Sequence, residues 1–182
     1  MRDARDEKRS DGGDASSAVD PLARPDPKTL ADASVSPHVP AFETRLTDRL
    51  GIDAPVVQAP IGSATCPELA AAVSEAGGLG TLAVTWRDPA DAANAVRRTR
   101  DLTDCPFGVN LVVDPAATEY PTEDHVEACL DAGAPVFSFS FGDAARHVER
   151  VDDAGATTLW TVGSAAEARD AVDAGADVVV AQ

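Results

Sequence analysis

Lysine and cysteine are both scarce in this sequence of 182 residues, and each shortage excludes a class of protein. Two lysines and 13 arginines stand against 22 aspartates and nine glutamates, for a formal net charge of −16. A nucleic-acid-binding surface and a surface for anionic membranes both need the opposite sign. The three cysteines are odd in number and far apart, so the sequence indicates neither a disulfide framework nor a metal site.

Long apolar runs are also missing. No run approaches the roughly 18 residues that a membrane-spanning helix needs, and the N-terminus has no apolar signal segment. We therefore expect a soluble, cytoplasmic protein. An Asp-rich, Lys-poor surface spread over the whole chain is typical of a halophile, in which salt screens self-repulsion. An acidic protein from an ordinary organism is the alternative.

The first 40 residues differ in composition from the rest of the chain. They are rich in Asp, Ser, Pro and charge, and no apolar residue recurs at strand or helix spacing. Such a segment cannot bury enough apolar surface to offset its chain entropy, which predicts a disordered acidic and proline-rich tail over 1–40. A start codon assigned too far upstream is the alternative. The folded domain is predicted to span 41–182.

From residue 41 onward, short apolar runs alternate with amphipathic segments. Runs rich in Val, Leu or Phe predict buried strands at 55–58, 79–84, 107–112, 135–139, 158–162 and 178–182. Helical patterns lie between them at 67–76, 89–102, 122–132, 143–154 and 164–174. Four of these helices end in Ala-Gly, as expected where glycine turns the chain back toward a sheet. The pattern predicts an α/β fold with a parallel sheet, and its short, regular repeat favours a barrel over an open doubly wound sheet.

Residues that close the strands of a parallel barrel are the candidates for ligand binding. Gln58 and the small residues after it could let backbone approach a flat ligand, or could form an ordinary turn. Asn110 is an amide inside an apolar strand, so it needs a partner, either a ligand or backbone. Gln182 closes the last apolar run in the same way.

Serines and phenylalanines alternate in the strand near residue 138. This spacing predicts Ser138 and Ser140 on one face and the rings of Phe137, Phe139 and Phe141 on the other. The two hydroxyls could form a polar pocket floor or belong to a core of small residues.

The histidines do not form a catalytic set in the sequence. His125 and His147 fall in helical segments with acidic neighbours and are expected on solvated helix faces. No group of residues has the spacing of a metal site or of a Ser-His-Asp triad, so we assign no catalytic residue and no metal.

Five motifs, taken in order, resemble the nitronate monooxygenase (2-nitropropane dioxygenase-like) family. They are LGIDAPVVQAPIG, SEAGGLGTLA, CPFGVNL, PVFSFSFG and DAGADVVVAQ, and the resemblance covers about residues 44–182. It implies a TIM-type (β/α)8 barrel, of which the first five to six βα units are present, with FMN at its C-terminal face. Ala59, Pro60 and Ile61 would lie against the flavin, and Asn110 and Gln182 match positions that contact FMN. The implied reaction is the oxidation of alkyl nitronates by O2.

The sequence departs from the family pattern in two places. In the family, the last motif continues into a glycine-rich stretch with a histidine that is the expected base, and then into strands that bind the FMN phosphate. This sequence ends at Gln182, and it has Ser140 where some relatives carry histidine. We therefore expect the chain alone to bind FMN weakly or not at all. A complementing C-terminal chain or self-association would close the barrel.

Two other interpretations remain open from the sequence. The chain could resemble more closely the FMN-dependent enoyl-acyl-carrier-protein reductases, which share the early motifs and use NADPH. It could also be an inactive barrel remnant that needs a partner chain to fold.

Overall fold

The computed structural model describes residues 42–182, and these residues alternate between helices and strands. The helices are α1 (Arg45–Leu50), α2 (Pro67–Glu75), α3 (Pro89–Leu102), α4 (Thr122–Asp131), α5 (Ala145–Asp153) and α6 (Ala165–Asp173), with a 3-10 turn at Gly62–Ala64. The strands are β1 (Gly80–Ala83), β2 (Phe107–Val112), β3 (Val136–Ser140), β4 (Thr157–Val162) and β5 (Val178–Ala181). The tail predicted over 1–40 lies outside the described residues. No described helix is long and apolar enough to cross a membrane.

The five strands form one parallel sheet in the order β1-β2-β3-β4-β5, so each βα unit adds the next strand along the same edge. The predicted run at 55–58 contributes a single parallel bridge between Val57 and Leu79 rather than a full strand. It still occupies a sixth position beside β1, because Leu79 N donates to Val56 O at 2.9 Å and Gln58 N donates to Leu79 O at 2.9 Å. Pro55 and Pro60 flank this segment and have no N–H to extend the ladder.

Helix ends follow the predicted Ala-Gly pattern. Gly77, Gly133, Gly155 and Gly175 have φ angles of 90°, 84°, 77° and 88°, the left-handed region in which glycine carries no steric cost. The short helix α1 was not predicted from the sequence. Its N-cap is Thr44, whose side chain accepts from Thr47 N while Thr47 Oγ1 accepts from Thr44 N. This capping box has Thr in place of the usual Glu or Gln, so the sequence pattern does not show it.

The two faces of the sheet have different partners. One face packs against the helices and is largely apolar, with Leu82, Val109, Phe137 and Trp160 all buried in the main core. Phe139 lies on the same face, as predicted, but Phe141 does not. Phe141 has a φ of 57° and its side chain is 65% exposed, because the chain leaves the strand direction directly after Ser140.

The opposite face, here termed the inner face, is covered by an apolar cluster at the amino ends of the strands. There Leu50 and Ile52, at the end of α1 and just after it, pack against Leu79, Val136 and Leu159. Toward the carboxyl ends of the strands the inner face becomes polar, since Ala83 pairs with Asn110 and Asn110 pairs with Ser138. One end of this half-barrel is therefore an apolar core, and the other end offers groups for hydrogen bonding.

The prediction that both described histidines lie on solvated helix faces is wrong. His125 is 1% exposed and His147 is 2% exposed. The prediction relied on acidic residues that are close to each histidine in sequence. Residues one position apart on a helix do not share a face, so these neighbours do not indicate where the histidine points.

Candidate functional site

The site is built from the loops that follow the strands, together termed the mouth (residues 58–65, 84–88, 113–121, 141–144, 163–164 and 182). The first mouth loop carries Ala59, Pro60 and Ile61. Thr65 holds its shape: the buried Thr65 Oγ1 accepts from Ile61 N at 2.9 Å and lies 3.1 Å from Ile61 O, to which it donates. The Ile61 side chain is 64% exposed, so this ordered loop presents an apolar group to the outside.

Asn110 lies on the inner face near the end of β2 and is buried, with 7% of its surface exposed. Its backbone oxygen accepts from Val84 N at 3.3 Å and from Thr85 Oγ1 at 3.4 Å. Within residues 42–182, its side-chain amide has no hydrogen-bond partner. An amide at this position can both donate and accept hydrogen bonds, so Asn110 is suited to bind something that enters from the mouth.

Hydroxyl groups extend this polar surface along the inner face. Thr81 Oγ1 is buried and has no partner among the described residues. It lies below the pair formed by Ala83 and Asn110, opposite Gly108, where a Cβ atom would approach Thr81 Oγ1 to 3.5 Å. Ser138 pairs with Asn110 across the sheet, and Ser140 follows it on the same face. Thr81 was missed in the sequence because a lone threonine in a strand is unremarkable without its neighbours.

Gln182 lies at the far side of the mouth from Asn110. Its backbone N donates to Val162 O at 3.0 Å. Together with Phe141 and Glu167, Gln182 lines a cleft of about 200 Å³ at this side of the mouth. Three strand spacings separate Asn110 on β2 from Gln182 after β5, which is roughly 14 Å along the sheet. The structure therefore brings the 59–61 loop and Asn110 close together, with only β1 between them, and leaves Gln182 at the opposite edge.

Sequence analysis also missed the residues that order the β1 loop. Trp86 is 61% exposed, and its indole Nε1 donates to Ala117 O at 3.2 Å, which ties the β1 loop to the β2 loop. His125 makes a second tie from α4: its Nε2 lies 2.8 Å from Arg87 O, and its Nδ1 lies 3.3 Å from Pro121 O. A buried histidine of α4 thus contacts the β1 loop through Arg87 O, its shorter contact, instead of facing solvent.

The mouth carries mostly negative charge. Asp88, Asp114 and Asp143 each accept a hydrogen bond from a backbone N–H two residues later, at 2.8 to 2.9 Å, in the turns that begin each crossover. The carboxylates of Asp88 and Asp143, which lie at the starts of α3 and α5, also interact favourably with the helix dipoles. Arg146 at the start of α5 is ion-paired with Glu123. Polyanions approaching this edge would meet repulsion at several points.

His147 should make folding stability depend on pH. It packs on the Phe139 ring with centroids 5.8 Å apart, and its Nε2 has no partner among the described residues. Burial, with help from the Arg146 charge, lowers the pKa of His147, while Glu123 and Asp143 oppose this shift. The unfolded chain therefore binds the proton more readily, and stability is lost as pH falls below about 6.5 toward the lower folded pKa, by up to ~1.4 kcal/mol per pH unit.

Urea unfolding at pH 7.0 and pH 5.5 measures this loss. His147→Leu should reduce the difference in unfolding free energy between the two pH values. An unchanged difference in the variant would show that other groups cause the acid sensitivity.

The described region shows no metal site, and the buried cysteine Cys129 is not a nucleophile. Cys129 is fully buried, and burial raises the pKa of its thiol to about 12, so it stays protonated and unreactive at neutral pH. No group of three or more His, Cys, Asp or Glu residues between 42 and 182 is arranged to hold a metal ion.

Parallel strands in sequential order, each followed by a crossover helix, together with polar groups gathered at the strand ends, define part of a TIM-type β/α barrel. The chain belongs to the nitronate monooxygenase family, whose model matches residues 43–182.

Three known proteins illustrate the relationship. A (3aS,4S,5R,7aS)-5-hydroxy-7a-methyl-1-oxo-octahydro-1H-indene-4-carboxyl-CoA dehydrogenase of Mycobacterium tuberculosis is 35% identical over 141 residues, covering 78% of this chain and 39% of the relative. The structure of FabK from Thermotoga maritima superimposes with a TM-score of 0.70 at 38% identity, covering 76% of this chain and 43% of the other. A nitroalkane oxidase structure from Streptomyces ansochromogenes gives 0.67 at 34% identity, covering 75% and 48%. The chain thus spans less than half the length of each.

Proposed function

We propose that this chain supplies the N-terminal part of an FMN-dependent oxidoreductase that oxidises alkyl nitronates with O2. The observation that carries the proposal is Asn110, a polar residue 7% exposed near the end of β2, whose side-chain amide bonds no other described residue and is separated from the ordered 59–61 loop only by β1. Membership of the nitronate monooxygenase family supports the reaction class.

The residues present fit a flat cofactor at the mouth. Ala59 and Pro60 are small or compact, so a ring system can come close to their backbone, and Thr65 keeps this loop in one shape. The side-chain amide of Asn110 would form hydrogen bonds with the polar edge of the cofactor. Gln182 would offer a second amide from the opposite side. Ile61 would pack against an apolar part of the ligand and exclude water.

FMN, when bound, would supply the electron transfer between the nitronate and O2. The chain's own residues would bind the nitronate and orient it against the cofactor. A substrate held in this position reacts faster, because the entropy of bringing the two reactants together has already been lost on binding. The inner-face residues Asn110, Ser138 and Ser140 carry amide or hydroxyl groups, which are not bases at neutral pH. Ser140 is buried, and no described residue activates its hydroxyl.

The charge of the mouth favours a nitronate over larger anionic substrates. The relative from M. tuberculosis is named for a carboxyl-CoA compound, and CoA esters and NADPH both carry several phosphate charges. Asp88, Asp114 and Asp143 at the mouth would repel such polyanions. An alkyl nitronate carries a single charge on a small apolar body. The same repulsion argues against the NADPH-dependent reductase as the alternative.

Titration of FMN into the full chain, followed by flavin fluorescence, tests the cofactor site. We expect weak but saturable quenching, and we expect Asn110→Leu to weaken binding by at least about tenfold, since one or two hydrogen bonds are lost without a change in volume. Asn94→Leu is the matched control, because Asn94 is exposed on α3 and bonds only Arg97.

A second arm adds the C-terminal part of the S. ansochromogenes relative to the same titration. Tighter binding in this mixture, again weakened by Asn110→Leu, would support a site shared between both parts of the barrel. Equal affinities for the parent chain and the Asn110→Leu variant in both arms would contradict the proposal.

A further inference from the structure

A second cleft at the mouth lies between the first mouth loop and the β1 loop. It is lined by Gly62, Ala83, Trp86 and Arg87. Ala83 on its floor pairs with Asn110 across the sheet, so this cleft adjoins the proposed cofactor site. Nothing lies within 4 Å of a Cβ atom built on Gly62, so the cleft is open on that side.

Arg87 is held in one place at the edge of this cleft. Its backbone N donates to Val84 O at 3.0 Å, and its backbone O lies 2.8 Å from His125 Nε2. Its guanidinium donates from Nε to Ala83 O at 3.3 Å and from Nη2 to Thr65 O at 3.4 Å. These two long bonds use two of the five N–H groups of the guanidinium, so three remain available.

The charge at this position is unusual for the mouth. Arg87 is the only Arg or Lys in the described loops that follow strands, and it forms no ion pair with a described carboxylate. The neighbouring carboxylate of Asp88 is already engaged, since it accepts from Ala90 N at 2.8 Å. Within the described loops, Arg87 is therefore the one positive charge that is free to attract an anion entering this acidic edge.

Trp86 provides an apolar surface next to that charge. Its ring is 61% exposed, yet the bond from Nε1 to Ala117 O fixes its position. Two parallel N–H groups of the guanidinium can bind two oxygens of one anion. The fixed aromatic ring beside them can contact an apolar group of the same molecule, so the pair suits a small planar anion with an apolar body.

We propose that this cleft is the subsite that recognises the anionic head of the substrate, with Arg87 binding two oxygens that share one negative charge and Trp86 packing on the alkyl part. This proposal rests on the proposed function and deepens it, since a nitronate has just such a head. His125 is then a positioning residue, which acts by fixing the Arg87 backbone.

Calorimetric titration of the full chain, with no FMN added, tests the subsite with two probes that differ by one proton. The probes are propane-2-nitronate, which is the anion, and 2-nitropropane, its neutral acid, which ionises slowly enough to be titrated as such. We expect the anion to bind at least about tenfold more tightly than the neutral acid, which corresponds to ~1.4 kcal/mol.

Substitutions of Arg87 should remove this preference. Arg87→Met should bring the ratio of the two affinities close to one, and Arg87→Lys should keep part of it, because lysine retains the charge without the fork. Arg97→Met is the control, since Arg97 is exposed on α3 and bonds only Asn94. It should leave the ratio unchanged.

The result that would overturn the subsite is an equal affinity of the parent chain for both probes, absence of nitronate binding, or a preference that survives Arg87→Met. The FMN titration separates this failure from failure of the proposed function. FMN binding through Asn110 without anion preference would remove the subsite alone. Anion preference without FMN binding would support the subsite and count against the cofactor site.

Discussion

Gly80→Ala is expected to cost about 3 kcal/mol or more of folding free energy, because this glycine is where helix α2 lies directly on strand β1. A Cβ atom at residue 80 would lie 1.9 Å from Ala70 O and 2.6 Å from the Ala70 carbonyl carbon. Both groups are backbone atoms of a buried helix turn, so neither a rotamer change nor a smaller side chain at residue 70 can relieve the clash. Overpacking of this kind typically costs ~1–3 kcal/mol, and a rigid contact belongs at the upper end.

Gly108→Ala is the matched control on the neighbouring strand. There the nearest atom to a new Cβ is Thr81 Oγ1 at 3.5 Å, an ordinary contact distance. Urea unfolding followed by circular dichroism should show a change below about 1 kcal/mol for Gly108→Ala and a large loss, or no folded baseline, for Gly80→Ala. Similar midpoints for the two variants would mean that α2 can shift away from β1.

The glycines near residue 80 show how far the sequence predicts the fold. The GGLG motif at 77–80 precedes strand β1, and its first and last glycines have different roles in the structure. Gly77 ends α2 with a φ of 90°, as the Ala-Gly pattern predicted. The close approach of Gly80 to α2 was not predictable, since it depends on where a helix ten residues earlier packs against the sheet.

Strand and helix positions were predictable because each is a local pattern. Strand β2 and helix α3 have the predicted bounds, 107–112 and 89–102, and the remaining predicted elements, apart from the run at 55–58, agree within two residues at either end. The exceptions depend on context that a local pattern does not contain. Val57 lies in a single bridge because flanking prolines prevent a longer ladder, and Phe141 is exposed because the chain turns at that residue.

The candidate site was predictable only in part for a related reason. Asn110 was evident as a polar residue in an apolar strand, and the structure confirms that it is buried. The roles of Arg87 and His125 come from a contact between the β1 loop and helix α4, whose residues are 38 positions apart in sequence. No periodicity signals such a contact. The residues proposed for the cofactor, Ala59, Pro60, Ile61, Asn110 and Gln182, stay predictions until ligand binding is measured.

The amino ends of the strands should determine stability rather than binding, and Asp177 is the residue that shows this most directly. Its Oδ2 accepts from Thr158 N at 2.8 Å and from Thr158 Oγ1 at 3.3 Å, its backbone N donates to Thr158 Oγ1 at 3.2 Å, and Oδ1 is paired with Arg49 of α1. One carboxylate thus joins β4, the start of β5 and the helix that covers the inner face. Asp177→Ala should cost about 2–3 kcal/mol, mainly because the buried Thr158 N–H loses its acceptor.

Three further variants locate the cause of that loss. Arg49→Met should cost less than about 1 kcal/mol, because the Arg49 side chain is 52% exposed and an exposed ion pair contributes little. The loss of stability in Asp177→Asn should lie between those of Arg49→Met and Asp177→Ala, since an amide oxygen can still accept from Thr158 while the charge is lost. Asp170→Ala, at an exposed position on α6, should have no effect. A loss in Arg49→Met as large as in Asp177→Ala would instead assign the stability to the ion pair.

Because this cluster lies at the end opposite the mouth, the folded variants should keep the FMN affinity of the parent chain, as expected where the two ends of a barrel divide stability and binding between them.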